Sequence, residues 1–312
     1  MTDLARMDAR GKRTQSEEYL MKISLKDWVI RHQLVSYFVL AYLIMYGMVF
    51  GYLYGLPIPY LIVWIIFASS PTISAIAVSG VIGGMSEVKR LLAGFTRWNV
   101  GLRWYLAALF LVLGPLAIAL VYQALGNYVP GAQPGLTTPT LIGQMIIVLL
   151  SGPLSEEAGW RGFALPRLEE NHSALTSSLI LGLIWAGWHI PLYFLPGSSQ
   201  AKLTIPLWAY VALILTVCAF LTWLYNNTRG SLIITVLAHF SFNLSGGLLV
   251  GILGMLPQMV FFLTAGPSLA VGVVAIFIIF GPQYVSRKPI SELPFRPKED
   301  ARNPSVRQTV SD

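Results

Sequence analysis

The chain has 312 residues, of which 55% are hydrophobic and only 11% are charged. A soluble domain carries about 25% charged residues, so this composition excludes a water-coated globular protein and predicts lipid as the solvent for much of the chain. The formal net charge is +7. Because the bases flank apolar runs and no groove-reading motif accompanies them, we expect no nucleic-acid binding. The single cysteine, Cys218, excludes an intramolecular disulfide and a cysteine-based zinc site.

Eight apolar stretches predict an all-α, polytopic membrane helix bundle. About 20 apolar residues are needed to cross the ~30 Å of hydrocarbon. Backbone in lipid must also satisfy its own hydrogen bonds, so each stretch is expected to be a helix. In chain order, the predicted spans lie near 34–54, 60–83, 105–125, 140–161, 174–195, 206–226, 231–254 and 262–285.

The polar ends of the chain complete the predicted domain organisation. Residues 1–33 are predicted to be a cytoplasmic N-terminal segment with an interfacial helix near 14–32. Residues 34–285 form the transmembrane helical domain, with a catalytic core at about 140–250. Residues 286–312 are rich in proline and charge, which predicts a disordered cytoplasmic tail.

The distribution of lysine and arginine predicts the orientation in the membrane. Bases cluster before the first span, after the second, fourth and sixth spans, and in the C-terminal tail, whereas the alternate loops carry only Lys202. Cytoplasmic loops carry an excess of lysine and arginine. With eight spans, both termini are therefore predicted to be cytoplasmic, and the chain is predicted to be a multi-pass protein of the cell membrane.

The fourth apolar stretch contains ionisable residues, which cost roughly 2.5 to 3.5 kcal/mol at a helix centre. Glu157 and Arg161 are four residues apart, so they share a helical face and are expected to form an ion pair. Glu156 points about 100° away from that face and is left without an obvious partner in its own helix. This division predicts a structural role for the Glu157–Arg161 pair and a general-base role for Glu156.

Two further apolar stretches carry histidines. His189 shares a helical face with Trp185, and Pro191 should distort the backbone just beyond it. His239 and Asn243 are four residues apart and point the same way. A histidine and an asparagine on one face offer two polar groups to a ligand or to a developing oxyanion.

These groups can meet only if they lie at similar depths in the membrane. Glu156, His189 and His239 reach similar depths if the fourth helix continues to about Pro166 and the fifth enters the bilayer near Ser177. Each of these residues also has a structural interpretation. Glu157 and Arg161 could stabilise their helix as an ion pair, His189 could be a packed histidine, and Asn243 could form an interhelical contact. Their concentration on three of eight helices favours a functional site.

The polar residues resemble the motifs of the CPBP family, also called the Abi or CAAX prenyl protease type II family. Its first motif is a Glu-Glu pair followed by three residues and Arg, and Glu156, Glu157 and Arg161 match it. Its third motif is His, three residues and Asn, and His239 and Asn243 match it.

The second motif of that family places a Phe four residues before a His. His189 matches the histidine, and Trp185 stands where Phe is usual. The resemblance extends over about 140–250. It implies an intramembrane endopeptidase of the glutamate or metallo type, which acts on a peptide or lipidated protein substrate in the membrane and whose oligomeric state is left open.

The resemblance also implies roles for the residues. Glu156 with His189 would activate the attacking water, and His239 with Asn243 would stabilise the tetrahedral oxyanion. Glu156, His189 and His239 would also suit Zn²⁺ with an open position for water. A metal-free mechanism needs the same groups, so both stay open. The HExxH metalloprotease motif and the GxSxG nucleophile motif are absent.

Two alternatives use the same polar residues without proteolysis. The first is a non-catalytic membrane partner, such as a bacteriocin self-immunity or scaffolding protein, that retains the residues for packing. The second is a transporter or channel in which the buried glutamate and histidines relay protons. Transporters often contain inverted repeats or paired broken helices, and the sequence shows neither.

Overall fold

A computed structural model describes residues 25–203 and 205–297, and contains no β-strand within those ranges. Eight helices, numbered α1 to α8 in chain order, are long and apolar enough to cross a membrane, which confirms the predicted all-α, polytopic bundle. They are Gln33–Leu53, Ser70–Thr96, Leu102–Ala124, Thr138–Glu169, Ala174–Tyr193, Leu207–Asn227, Leu232–Ile252 and Gln258–Phe280.

The predicted limits of the second span, 60–83, are wrong. The chain forms a short helix at Tyr60–Ala68 and then begins α2, which runs over Ser70–Leu92 with a kink at Gly83 and Gly84 and ends in a 3₁₀ turn. Pro71 lies in the first turn of α2, where its missing N–H and fixed φ favour a new helix start. Both pieces are apolar, so hydropathy alone could not separate them.

The fourth span, α4, is divided into several pieces. A capping box between Thr137 and Thr140 starts the helix Thr138–Ser151, and Gly152 then interrupts it. Helix resumes at Pro153–Glu157, widens into a π-helical stretch at Ala158–Ala164, and closes with Leu165–Glu169. The span therefore continues past 161, as the depth argument required. Wide turns of this kind occur frequently at functional sites.

The spans α5 and α7 also change geometry beside their histidines. The regular part of α5 ends at Trp188 and a 3₁₀ turn follows at Ile190–Tyr193, which agrees with the distortion expected from Pro191. The regular part of α7, Leu232–Asn243, continues as a π-helical stretch over Leu244–Ile252.

The most enclosed spans are α5, α6 and α7, whose apolar windows are half buried or more. In the packing, α5 lies along α6, α3 along α7, and α2 contacts both α1 and α4. The approach of α2 and α4 is close at Gly159, where an added Cβ would lie 2.5 Å from the backbone carbonyl of Pro71. This packing brings the polar parts of α4, α5 and α7 to the centre of the bundle.

Residues 281–297 fold back over one end of the bundle. The amides of Asn226 and Asn227, at the end of α6, donate to the backbone oxygens of Tyr284 and Val285, both at 2.9 Å. The first backbone N–H groups of α5, those of Ala174 and Leu175, donate to the carbonyls of Gln283 and Pro282 at 2.7 and 3.1 Å. This segment therefore joins the start of α5 to the end of α6.

The C-terminal tail is ordered further than predicted. Leu293 and Phe295 are buried, so residues 286–297 do not follow the prediction of disorder. The stretch is polar overall, but its few apolar side chains and the asparagines of α6 hold it in place. Residues 298–312 lie outside the described residues. At the other end, residues 25–31 are helical, and the remainder of the predicted interfacial helix lies outside the described residues.

Candidate functional site

Glu156 is buried at the centre of the bundle, with 3% of its surface exposed. One carboxylate oxygen, Oε2, accepts hydrogen bonds from two indoles, Trp160 Nε1 at 3.0 Å and Trp185 Nε1 at 2.8 Å. Trp160 is one helical turn further along α4, and Trp185 lies on α5. Because both donors hold the same oxygen, they fix the orientation of the carboxylate and direct Oε1 away from them.

Glu157 lies at the centre of a second, charged contact. Its Oε1 accepts from Arg161 Nη1 at 2.9 Å and lies 2.9 Å from His239 Nδ1. The side chains of Glu157 and Arg161 are fully buried, and His239 is almost so. The Arg161 guanidinium carbon also lies 4.6 Å from the centroid of the Trp185 ring, a cation–π contact. The ion pair predicted from the spacing is therefore present and buried.

His189 is held in a defined tautomer by the backbone of its own helix. Its Nδ1 lies 2.8 Å from the carbonyl oxygen of Trp185. A carbonyl can only accept, so Nδ1 carries the proton and Nε2 of neutral His189 is left as an acceptor. The ring packs edge-on against Trp188 and Tyr210, at centroid distances of 4.8 and 5.9 Å.

Gly152 marks the point where α4 and α7 bring their polar atoms together. A carbon placed as its Cβ would lie 3.0 Å from Asn243 Nδ2, 3.2 Å from Glu156 Oε1 and 3.8 Å from His239 Nε2. Three polar atoms from two helices thus surround one position, and the chain has no side chain there. Because residue 152 has no side chain, these three polar atoms can lie this close to its backbone.

Trp185 connects this position to His189. Its ring centroid lies 5.1 Å from that of His239 and 5.8 Å from that of His189. All six residues predicted from the sequence therefore lie in one group, which we call the polar cluster: Glu156, Glu157, Arg161, His189, His239 and Asn243.

Sequence reasoning missed the indoles and the glycine of this site. The sequence did not predict the two tryptophans as hydrogen-bond donors, although the i to i+4 spacing of Trp160 from Glu156 could have indicated a contact. The donor on Trp185 crosses between helices, and no spacing rule predicts it. Gly152 gave no signal beyond its place before Pro153.

The described side chains contain no group of three His, Cys, Asp or Glu placed to hold a metal ion. The predicted ligands Glu156, His189 and His239 do offer a carboxylate oxygen and two ring nitrogens, a donor set that suits zinc. Glu156 Oε1 and His239 Nε2 instead lie beside Gly152, at 3.2 and 3.8 Å from a carbon placed as its Cβ. The arrangement therefore does not fit a three-residue zinc site as it stands.

Comparison with known proteins identifies relatives for the part of the chain that carries the polar cluster. Residues 138–245 match the family described as Type II CAAX prenyl endopeptidase Rce1-like. The CAAX prenyl protease 2 of Methanococcus maripaludis is 32% identical over 109 residues, which are 34% of this chain and 40% of that protein. The match thus spans about two fifths of the curated relative. These findings confirm the resemblance drawn from the three motifs.

Proposed function

We propose that this chain, whose residues 138–245 match the Type II CAAX prenyl endopeptidase Rce1-like family, is an endopeptidase that hydrolyses a peptide bond inside the membrane. The substrate class that fits is a peptide or lipidated protein held in the same bilayer. The observation that carries the proposal is the convergence of Glu156 Oε1, His239 Nε2 and Asn243 Nδ2 on the space at Gly152.

In the proposed reaction, Glu156 and His189 activate a water molecule. The carboxylate of Glu156, or the free Nε2 of His189, takes a proton from the water as its oxygen bonds to the substrate carbonyl carbon. The π electrons of the carbonyl move to its oxygen and form the oxyanion. The proton then passes to the leaving nitrogen as the C–N bond breaks, which yields a carboxylic acid and an amine.

The same geometry gives His239 and Asn243 the task of stabilising the oxyanion. The Asn243 Nδ2 amide can donate a hydrogen bond at the space beside Gly152. When His239 is protonated, Nδ1 donates to Glu157 and Nε2 also becomes a donor. Glu157 Oε1 lies 2.9 Å from His239 Nδ1 and orients the ring, so Glu157 acts on the reaction through the histidine.

The direct test uses the purified full-length chain in liposomes. A prenylated peptide with a CAAX-type end and the same peptide without the lipid are incubated with it, and products are identified by mass spectrometry. We expect cleavage of the lipidated peptide at one defined bond. Folded protein that cleaves neither peptide, nor a panel of membrane-anchored peptides, would contradict the proposal.

The sequence-based prediction of zinc is tested separately by metal analysis and chelation. Because the three candidate ligands are not gathered around one position in the structure, we expect activity to persist after exhaustive chelation. Loss of activity that returns on adding Zn²⁺ alone, together with one zinc per chain, would instead assign the ion to Glu156, His189 and His239.

Gly152→Ala is expected to lower activity by about 100-fold, because misplacement of reacting groups by ~1 Å costs that much. The added methyl would fill the space between Asn243 Nδ2 and Glu156 Oε1. Gly143→Ala, on the same span with open space around it, is the control and should keep full activity. Equal activity of the two variants would show that the space at Gly152 is not used.

Trp185→Phe is expected to lower kcat roughly 10- to 100-fold, the effect of one hydrogen bond to a charged group. The substitution removes the indole N–H that donates to Glu156 Oε2, and it keeps an aromatic ring between the two histidines. Trp188→Phe is the control, because that indole donates to Ser70 at 3.0 Å instead. An unchanged kcat in Trp185→Phe would leave Trp185 with a packing role only.

A further inference from the structure

A cavity of about 490 Å³ opens at the end of the bundle covered by the C-terminal segment. It lies between α2, α4, the start of α7 and residues 293–296, and no member of the polar cluster lines it. Four arginines and two glutamates contribute to its wall: Arg90, Arg97, Arg167, Arg296, Glu87 and Glu170. The cavity is thus a second polar feature, separate from the site described above.

Two of the four arginines in this wall are held by neutral groups. Arg97 Nη1 donates to the carbonyl of Arg229 at 2.7 Å. Arg167 donates through Nε to Gln33 Oε1 at 2.8 Å and through Nη1 to the carbonyl of Phe163 at 3.0 Å. Such contacts fix the position of a guanidinium without neutralising it, so the charge stays available to an anion.

The carboxylates in the wall do not balance these charges. Glu87 is occupied by Arg90, with Oε2 to Nη2 at 2.6 Å. Glu170 also faces the cavity, but no ion pair between it and an arginine is present among the described residues. With four guanidiniums and two carboxylates, the wall keeps a net positive charge.

Apolar side chains of α2 and α7 pack closely in the wall of the cavity. A Cβ added at Gly162 would lie 2.9 Å from Leu91 Cδ1 and 3.4 Å from Leu232 Cδ1. One added at Gly94 would lie 2.6 Å from Leu232 Cγ. The wall therefore combines this apolar packing with the arginines, and Glu156 is not part of it.

The position of the cavity indicates where its ligand comes from. Lys89 and Arg90 lie in the last turn of α2, and Arg167 lies in the last turn of α4. Bases at helix ends lie at the level of the lipid head groups. Basic pockets between transmembrane helices at this level bind anionic head groups, and guanidinium forks match phosphate oxygens.

We propose that this cavity binds the phosphate of an anionic lipid head group, held by Arg97 and Arg167. Arg296 and the buried Phe295 place the C-terminal segment at the mouth of the same cavity. A bound lipid therefore links α2 and α4 to that segment and stabilises the closed end of the bundle. The proposal concerns lipid binding and does not depend on proteolysis.

The test compares lipids on the full-length protein in mild detergent. Retention of phosphatidylglycerol and of phosphatidylcholine is measured by native mass spectrometry, and the thermal unfolding midpoint is measured with each lipid. We expect preferential retention of phosphatidylglycerol and a higher midpoint with it. The double variant Arg97→Gln, Arg167→Gln should weaken that retention roughly tenfold or more.

The control is Arg287→Gln, which removes a base near the same end of the chain but outside the cavity. It should retain phosphatidylglycerol as the unchanged protein does. Equal retention by the double variant, or no preference between the lipids, would overturn the proposal. Inorganic phosphate that saturates the site while lipid has no effect would overturn the lipid source, and displacement of the lipid by a substrate peptide would assign the cavity to peptide instead.

Discussion

Glu156→Gln is expected to lower the rate of peptide cleavage by about 10³-fold, within the 10²- to 10⁴-fold range of general acid–base catalysis. The amide keeps the size and shape of the side chain but cannot take a proton from water. The measurement is single-turnover cleavage of a lipidated peptide in liposomes. Because the protein should still insert and unfold at a similar temperature, the loss can be assigned to chemistry.

A matched control for this variant is Glu169→Gln on the same span. Glu169 is also buried, but its Oε1 accepts from Asn226 Nδ2 at 2.7 Å and it lies outside the polar cluster. The glutamine retains that acceptor, so activity should be kept. Normal cleavage by Glu156→Gln would contradict the protease assignment and favour the non-catalytic membrane partner.

Arg161→Met is expected to destabilise the protein by about 3 to 5 kcal/mol, the cost of breaking a buried ion pair from one side. The Glu157 carboxylate would remain buried without its arginine, with only the contact to His239 Nδ1 left. The measurement is the thermal unfolding midpoint and the yield of monodisperse protein. The double variant Glu157→Gln, Arg161→Met removes both charges and should recover part of the loss.

The control for Arg161 is Arg90→Met. The Arg90–Glu87 pair has a similar helical spacing, but the arginine side chain is 71% exposed. Exposed ion pairs contribute about 0 to 1 kcal/mol, so this variant should unfold close to the normal temperature. Equal midpoints for the two arginine variants would mean that burial of the Glu157–Arg161 pair does not contribute to stability.

The sequence predicted the spans well because lipid imposes a simple rule on the chain. A run of about 20 apolar residues must be a helix in the bilayer, and polar residues inside such runs are conspicuous. The six members of the polar cluster could be found in this way, and the i to i+4 spacing of Glu157 and Arg161 predicted their ion pair correctly.

The features that the sequence did not predict depend on contacts between segments that are distant in the chain. The indole of Trp185 reaches Glu156 across two helices, and its donor cannot be inferred from its place on α5. The start of α2 at Ser70 was hidden because the preceding helix is equally apolar. The C-terminal segment is held at Tyr284 and Val285 by Asn226 and Asn227, nearly sixty positions earlier.

The folded C-terminal segment has a consequence for how the protein is made. The first N–H groups of a helix have no partners within it. For α5, those of Ala174 and Leu175 find theirs in Gln283 and Pro282, which the ribosome adds more than a hundred residues later. Until the segment after the eighth span has been made, these two N–H groups must bind water or other partners. The contacts that join the start of α5 to residues 282 and 283 can therefore form only after all eight spans have been synthesised.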